Sequence, residues 1–255
     1  MCCVVTYDDF VQSVTLTHAR VPCVILYNSR QLAELKSFCF HKNHGSVWFL
    51  DITYNLGHLY VTVSIYRNAA LYRNGTTTAP SFIGPLFIHG NSDFGTFSTF
   101  LCHVAARLVG CNFRQLRVGS DGELAIRKAV EFAFAGSAPI ACTRHLRENL
   151  CQNAHKVTAA NDRNVGNLVD AVFGAGGLST ASDTVAYDAS LERIQQTFLP
   201  VLPSKLRQYF KADVEPQQRS NMNVGGAGWT NNACESVNQH LPELIEKCRA
   251  LVDAQ

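Results

Sequence analysis

The sequence lacks the features that would place it in a membrane or send it through a secretory pathway. No stretch approaches the roughly 18 apolar residues that a membrane-spanning helix needs. The N-terminus, MCCVVTYDDF, has neither the positively charged region nor the long apolar region of a signal peptide. We therefore expect no membrane partner and an intracellular, reducing environment.

The sequence also lacks a large excess of either positive or negative charge. Lys and Arg number 22 against 20 Asp and Glu, which gives a formal net charge of +2 and a pI of about 8.0. Strong nucleic-acid binders usually have a pI above about 9, so this balance permits nucleic-acid contact without demanding it. The chain of 255 residues is 47% hydrophobic, enough for a sizeable core. Several of its ten cysteines, including Cys23, Cys39 and Cys102, lie inside apolar runs, as buried reduced thiols do.

The apolar pattern predicts an α/β protein. Three strand-like segments, at 46–51, 58–67 and 81–89, follow one another with turns between them and predict an antiparallel β-meander. The periodicity then alternates between helix and strand, at 94–109, 114–119, 124–134, 138–142 and 145–157. A meander followed by alternating helices and strands predicts a mixed sheet covered by helices, and the ribonuclease-H-like fold has that order.

Composition divides the chain into four segments. Residues 1–45 form an N-terminal segment that we expect to lie outside the core sheet, and 46–157 form the ribonuclease-H-like core. Residues 158–228 are rich in Asn, Asp, Gly and Ala and predict a mainly helical insertion. Residues 229–255 predict a C-terminal helix that completes the core.

Three acidic residues stand in segments that would each present a carboxylate. Asp51 and Asp121 follow apolar runs, at the expected ends of two strands. Glu235 follows the possible N-caps Thr230-Asn-Asn, so it would fall near the first turn of a helix. Carboxylates that converge on two divalent cations about 3.5–4 Å apart are what phosphodiester chemistry requires. The three acids are too far apart in sequence for a local motif, so only a fold can unite them.

At these residues the chain resembles the Mutator-like DDE transposases, over roughly residues 46–241. The resemblance rests on Asp51-Ile-Thr-Tyr-Asn, on Gly-Ser-Asp121-Gly-Glu-Leu-Ala-Ile-Arg-Lys-Ala, on Cys142-Thr-Arg-His145, and on Cys-Glu235-Ser-Val-Asn238. It implies a ribonuclease-H-like core with a helical insertion, in which Asp51, Asp121 and Glu235 are catalytic and bind two Mg²⁺ or Mn²⁺ ions.

The resemblance also implies DNA strand cleavage and strand transfer, acting on transposon ends and target DNA. Cys142, His145 and Asn238 would then support the active site or contact DNA, and the protein would act as a homo-oligomer in the nucleus. The sequence has no clear basic targeting run, no N-terminal zinc-finger-like module and no C-terminal zinc knuckle, and it ends 20 residues after Glu235. These departures predict a core fragment or a degraded copy.

Simpler interpretations stand beside these. Asp51 could cap a turn, Asp121 could cap the following helix, and Glu123 is a nearby acid that would suit a first helical turn. Cys142 and His145, with Cys151 and His155, have the residue types of a structural zinc site, but the second pair could equally be ordinary helix neighbours.

Aromatic and basic residues also leave two interpretations open. Trp229 could stack on a DNA base or anchor the insertion to the core. Six basic residues could contact phosphates or form a solvated helix face: Arg144, Arg147, Lys156, Lys205, Arg207 and Lys211.

Two rival functions remain at this point. A domesticated or decayed copy would keep the fold and bind DNA or a protein partner without cutting. A stand-alone nuclease of the ribonuclease-H type would cleave an RNA–DNA hybrid and show no strand transfer.

Overall fold

A computed structural model describes residues 10–16, 22–40, 46–56, 58–72, 74–76, 79–159 and 162–222. These residues divide into two compact units. The first, which we call the sheet unit, comprises the described residues up to Pro139, and the second, the helical unit, comprises those from Ile140 onward.

A mixed sheet of eight strands runs through the described residues. Its strands and the helices between them are β1 (Val11–Leu16), β2 (Pro22–Leu26), α1 (Ser29–Cys39), β3 (Trp48–Leu56), β4 (Leu59–Arg67), β5 (Ser81–Ile83), β6 (Leu86–His89), α2 (Phe94–Ala105), β7 (Arg117–Ser120), α3 (Leu124–Ala133) and β8 (Ala138–Ala141). The predicted mixed α/β class is therefore confirmed.

The strand order is β1-β2-β6-β4-β3-β7-β8, with β5 also paired to β4. Strands β3, β4 and β6 are antiparallel neighbours, as the predicted meander requires. Strand β7 lies parallel to β3 on its other side. The chain reaches β7 through α2, because parallel strands need a long crossover connection. Strand β3 thus has an antiparallel neighbour on one side and a parallel neighbour on the other.

The third meander strand is interrupted where the sequence has Gly84-Pro85. Proline cannot donate a backbone hydrogen bond to a neighbouring strand, so β5 ends before it and β6 begins after it. Ser64 of β4 bridges the interruption, because its Oγ donates to the carbonyl of Pro85 at 2.6 Å and its carbonyl accepts from the Gly84 amide at 2.8 Å. Both halves therefore stay paired with β4.

The N-terminal segment does not lie outside the sheet, and that expectation was wrong. Strand β2 pairs with β6 and β1 pairs with β2, so the two strands extend the sheet beyond the meander. The N-cap of α1 is Asn28. Asn28 accepts from the Gln31 amide while the Gln31 side chain accepts from the Asn28 amide, which is a capping box.

The core of the sheet unit lies between one sheet face and the helices α2 and α3. It includes Trp48 and Leu50 from β3, Phe100 from α2 and Val130 from α3, each at most 2% exposed. The predicted buried thiol Cys39 is fully enclosed, and burial raises its pKa. No helix within the described ranges is long and apolar enough to cross a membrane.

The helical unit has its own hydrophobic core. Its elements are α4 (Thr143–His155), α5 (Arg163–Phe173), α6 (Thr184–Thr197), α7 (Ser204–Tyr209), a π-helical segment (Phe210–Val214) and α8 (Glu215–Met222). The side-chain amide of Asn221 in α8 pairs with the backbone of Ala141. Its Nδ2 donates to the Ala141 carbonyl at 2.7 Å, and its Oδ1 accepts from the Ala141 amide at 2.9 Å. This pairing satisfies both backbone groups of the last residue of β8.

Candidate active site

Two of the three predicted catalytic acids follow the paired residues of two neighbouring strands in the sheet unit. Strands β3 and β7 pair in parallel, with Trp48 opposite Val118 and Phe49 opposite Gly119. The same register, continued by two residues, reaches Asp51 on one chain segment and Asp121 on the other. The printed pairing ends at Phe49 and Gly119, two residues before each acid, and paired neighbouring strands lie about 4.8 Å apart. The fold thus brings two segments that are 70 residues apart in sequence into one pair of strands.

Asp51 lies on the sheet face opposite the main core. Side chains alternate along a strand, and Trp48 and Leu50 point into the core beneath α2 and α3. Asp51 therefore lies on the opposite face, together with Phe49. Its partner across the antiparallel ladder is Val63, which is fully buried. Asp51 itself is only 8% exposed, which is an uncommon environment for a carboxylate.

Asp51 does not stand at the end of its strand, and that part of the prediction was wrong. Strand β3 continues to Leu56, whereas β7 ends at Ser120. The pairing of β3 with β4 explains the difference, because the hairpin holds β3 beyond the point where β7 turns away. Asp51 is consequently in the middle of its strand, whereas Asp121 is in the loop that follows its strand.

The absence of a side chain at Gly119 leaves room for the Phe49 ring of the neighbouring strand. A side-chain Cβ at position 119 would lie 2.6 Å from Cδ1 and 2.7 Å from Cε1 of Phe49, and 3.0 Å from Cγ1 of Val47. Atoms at such distances overlap, so the Phe49 ring occupies the space that any larger residue would need. Gly119 and the buried Phe49 ring therefore fit together directly before the two acids.

A tight turn orients Asp121 after β7. Gly122 has a φ of +90°, a conformation that residues with a Cβ rarely adopt. The Oδ1 atom of Asp121 accepts from the Glu123 amide at 3.0 Å, and the Gly122 amide donates to the Ser120 hydroxyl at 3.3 Å. Asp121 is thus not the N-cap of α3, because Glu123 occupies that position. One Asp121 oxygen is held by the backbone, which leaves the second available to a ligand.

The negatively charged form of the Glu123 side chain is disfavoured. Burial raises the pKa of Glu123, and the nearby Asp121 carboxylate raises it further. Glu123 is thus the N-cap residue of α3 rather than a residue of its first turn, and its carboxyl group lies near that of Asp121. Oxygen donors of this kind, partly removed from water, suit a hard cation such as Mg²⁺ or Mn²⁺, which would offset their mutual repulsion.

Glu235, Asn238 and Trp229 lie outside the described residues, so their predicted roles stay predictions. Within the described ranges, no three His, Cys, Asp or Glu side chains are grouped so that they could hold a metal ion. Metal binding by Asp51, Asp121 and Glu235 therefore stays a prediction.

Cys142 and His145 belong to the helical unit, at the start of α4. Cys142 is the N-cap residue, is 2% exposed, and accepts through its carbonyl from the Leu146 amide at 2.9 Å. A helix rises about 1.5 Å per residue, so Cys142 and His155 are separated by roughly 20 Å. Zinc bonds to sulfur and nitrogen are only about 2.0–2.3 Å long. These residues therefore do not form one tetrahedral zinc site with His145 and Cys151.

Sequence reasoning missed three residues that shape the site: Phe49, Gly119 and Gly122. The available signal was the pair of glycines in Val118-Gly-Ser-Asp-Gly122, since glycines on both sides of an acid indicate close packing and a turn. The identity of the packing partner, Phe49, required the register of the sheet.

Comparisons with known proteins add no family assignment. No known protein family matches the chain, and no curated protein matches its sequence. Membership of the Mutator-like group therefore stays a prediction that depends on the motifs and on the arrangement of the acids.

Proposed function

We propose that the chain is the catalytic core of a transposon-derived DDE transposase of the Mutator-like group. The observation that supports the proposal is the parallel register of β3 and β7, which pairs Phe49 with Gly119 two residues before Asp51 and Asp121. An accidental pair of acids would not be expected to combine burial, a glycine-dependent turn and a matching register.

The order of elements supports a ribonuclease-H-like fold. An antiparallel meander of β3, β4 and β6 is followed by α2, β7, α3 and β8. The strand that carries the first acid, β3, belongs to the meander and pairs with the parallel strand β7. The helices from α5 onward follow this core and would form the predicted helical insertion. The strands β1 and β2 are additions at one edge.

The proposed chemistry is DNA strand cleavage followed by strand transfer. When bound, two divalent cations would activate the attacking oxygen and stabilise the leaving oxygen. Asp51 and Asp121 would hold the cations, with Glu235 as the third ligand. Transposon ends and target DNA are the proposed partners, and a homo-oligomer in the nucleus is the proposed working state.

Calorimetric titration of Mn²⁺ tests the site before any cleavage assay. We expect saturable binding by the wild-type chain and its loss in Asp51→Asn/Asp121→Asn. The matched control is Asp170→Asn/Glu192→Gln, which removes two exposed acids from α5 and α6 and should bind like wild type. Circular dichroism establishes that each variant is folded.

Activity then separates the proposed function from its rivals. Nicking of supercoiled DNA and joining of a pre-cut end to a target, both lost in Asp51→Asn/Asp121→Asn, would support a transposase. Cleavage of an RNA–DNA hybrid without strand transfer would favour a nuclease of the ribonuclease-H type. A folded wild-type chain that binds no Mn²⁺ would refute catalysis and favour a decayed copy that only binds a partner.

A further inference from the structure

The charges of the helical unit are divided between two pairs of helices. The segments 143–156 and 204–214, which contain α4, α7 and the π-helical segment, carry six Lys or Arg and two Asp or Glu. The segment 162–197, which contains α5 and α6, carries two Arg and five Asp or Glu. A mildly charged chain therefore contains one basic and one acidic helix pair, which the overall balance of +2 conceals.

The two basic helices form one packed pair. Leu150 and Ala154 of α4 share a hydrophobic cluster with Leu206 of α7, and each is at most 1% exposed. A side-chain hydrogen bond joins Asn153 of α4 to Tyr209 of α7. The buried side chains of α4 and α7 thus pack against each other in one core. The exposed side chains of both helices lie on the outer surface of this pair.

All six cations of this pair are exposed: Arg144, Arg147, Lys156, Lys205, Arg207 and Lys211. Arg144 pairs with Glu148, with 3.6 Å between Nε and Oε1, and the Lys156 ammonium donates to Asn153 Oδ1 at 3.3 Å. The other four form no salt bridge with any described residue. Their charge is therefore available to an external anion.

We propose that the exposed surface of α4 and α7 binds the phosphate backbone of duplex DNA. Six exposed Lys and Arg side chains complement a polyanion, whereas the acidic α5–α6 pair would repel it. From Arg144 to Lys156 the helix rises about 18 Å, which matches roughly five base pairs of DNA at 3.4 Å each. The choice of DNA among polyanions depends on the proposed function, but the contact itself needs no metal.

The test is fluorescence anisotropy of a labelled duplex, with the full chain in EDTA and over a series of salt concentrations. The variant Arg147→Gln/Arg207→Gln removes two cations from the basic pair. Its matched control, Arg163→Gln/Arg193→Gln, removes two exposed arginines from α5 and α6, with the same change in net charge. All four positions are exposed, so both variants are expected to fold.

We expect the basic-pair variant to bind more weakly and the control to bind like wild type. Each lost phosphate contact lowers the slope of log K against log salt by about 0.9, so the slope should become shallower by about 1.8. Equal effects of the two variants, or no effect of either, would overturn the proposal. Binding to phosphatidylserine vesicles but not to the duplex would also overturn it, in favour of a membrane surface.

The same assay separates this proposal from the metal site. If the duplex binds but Mn²⁺ does not, the DNA surface stands and the catalytic proposal fails. If Mn²⁺ binds and the duplex does not, the surface proposal fails and the metal site stands.

Discussion

Replacement of Gly119 by alanine should destabilise the sheet unit and disturb the two acids together. The new Cβ would lie 2.6 Å from a ring carbon of Phe49 and 3.0 Å from Val47 Cγ1, and both neighbours are at most 3% exposed. Ordinary carbon contacts are about 3.5–4.0 Å, so the ring must move by roughly 1 Å within a packed layer. Overpacking of this kind costs about 1–3 kcal/mol.

Thermal unfolding followed by circular dichroism measures the loss. For a chain of this size, about 1–3 kcal/mol corresponds to a fall in Tm of roughly 2 to 12 °C. Gly166→Ala is the matched control, because this exposed glycine inside α5 has no atom within 4 Å of a built Cβ. An alanine there should stabilise the helix by about 0.5–1 kcal/mol.

The stability cost of Gly119→Ala is also measured in the variant Phe49→Val, which distinguishes the Phe49 contact from a general effect of alanine. In Phe49→Val, most of the ring is gone, so Gly119→Ala should cost less than about half of its value in the wild-type chain. An unchanged cost in both backgrounds, or a Tm equal to that of wild type, would refute the reasoning. Mn²⁺ titration of the single variant should show weaker binding, because the same packing precedes Asp51 and Asp121.

Two further predictions concern a turn and a half-buried histidine. Gly122→Ala and Gly110→Ala each place a side chain at a positive φ, 90° and 80° respectively, so both should lose stability. Only the first should also weaken Mn²⁺ binding, and equal titrations would contradict the role of the turn at Asp121. Burial, followed by the nearby Arg107, lowers the pKa of His103 to about 4. The unfolded chain then binds more protons between pH of about 6.5 and about 4, so stability falls as the pH drops through that range. His103→Gln should remove part of this fall in urea unfolding, and an unchanged pH dependence would contradict it.

Local patterns in the sequence were sufficient to identify most elements. The β-branched run 58–67 became β4, and the helical spacing in 124–134 became α3, because alternation and a 3.6-residue period report which face is buried. Boundaries were less well predicted. Helix α2 ends at Ala105 rather than Val109, and a 3₁₀ turn at Phe113–Gln115 precedes β7.

The chemistry of the candidate site could also be predicted in part. Asp51 and Asp121 were identified because each follows an apolar run and matches a family motif. The importance of Glu123 could not be inferred in the same way. Its raised pKa depends on burial and on the distance to Asp121, and both are properties of the folded chain.

The sequence by itself determined the alternation of strands and helices, the candidate acids and the basic character of α4 and α7, because these depend on neighbours within a few residues. Only the tertiary structure decided that β1 and β2 join the sheet, that Asp51 lies in mid-strand, and that Phe49 fills the space above Gly119. Strand pairing is set by contacts between residues that are distant in sequence, and a shift of one residue would place every side chain on the other face. The register of β3 and β7 is therefore a property of the whole fold, and the proposed site depends on it.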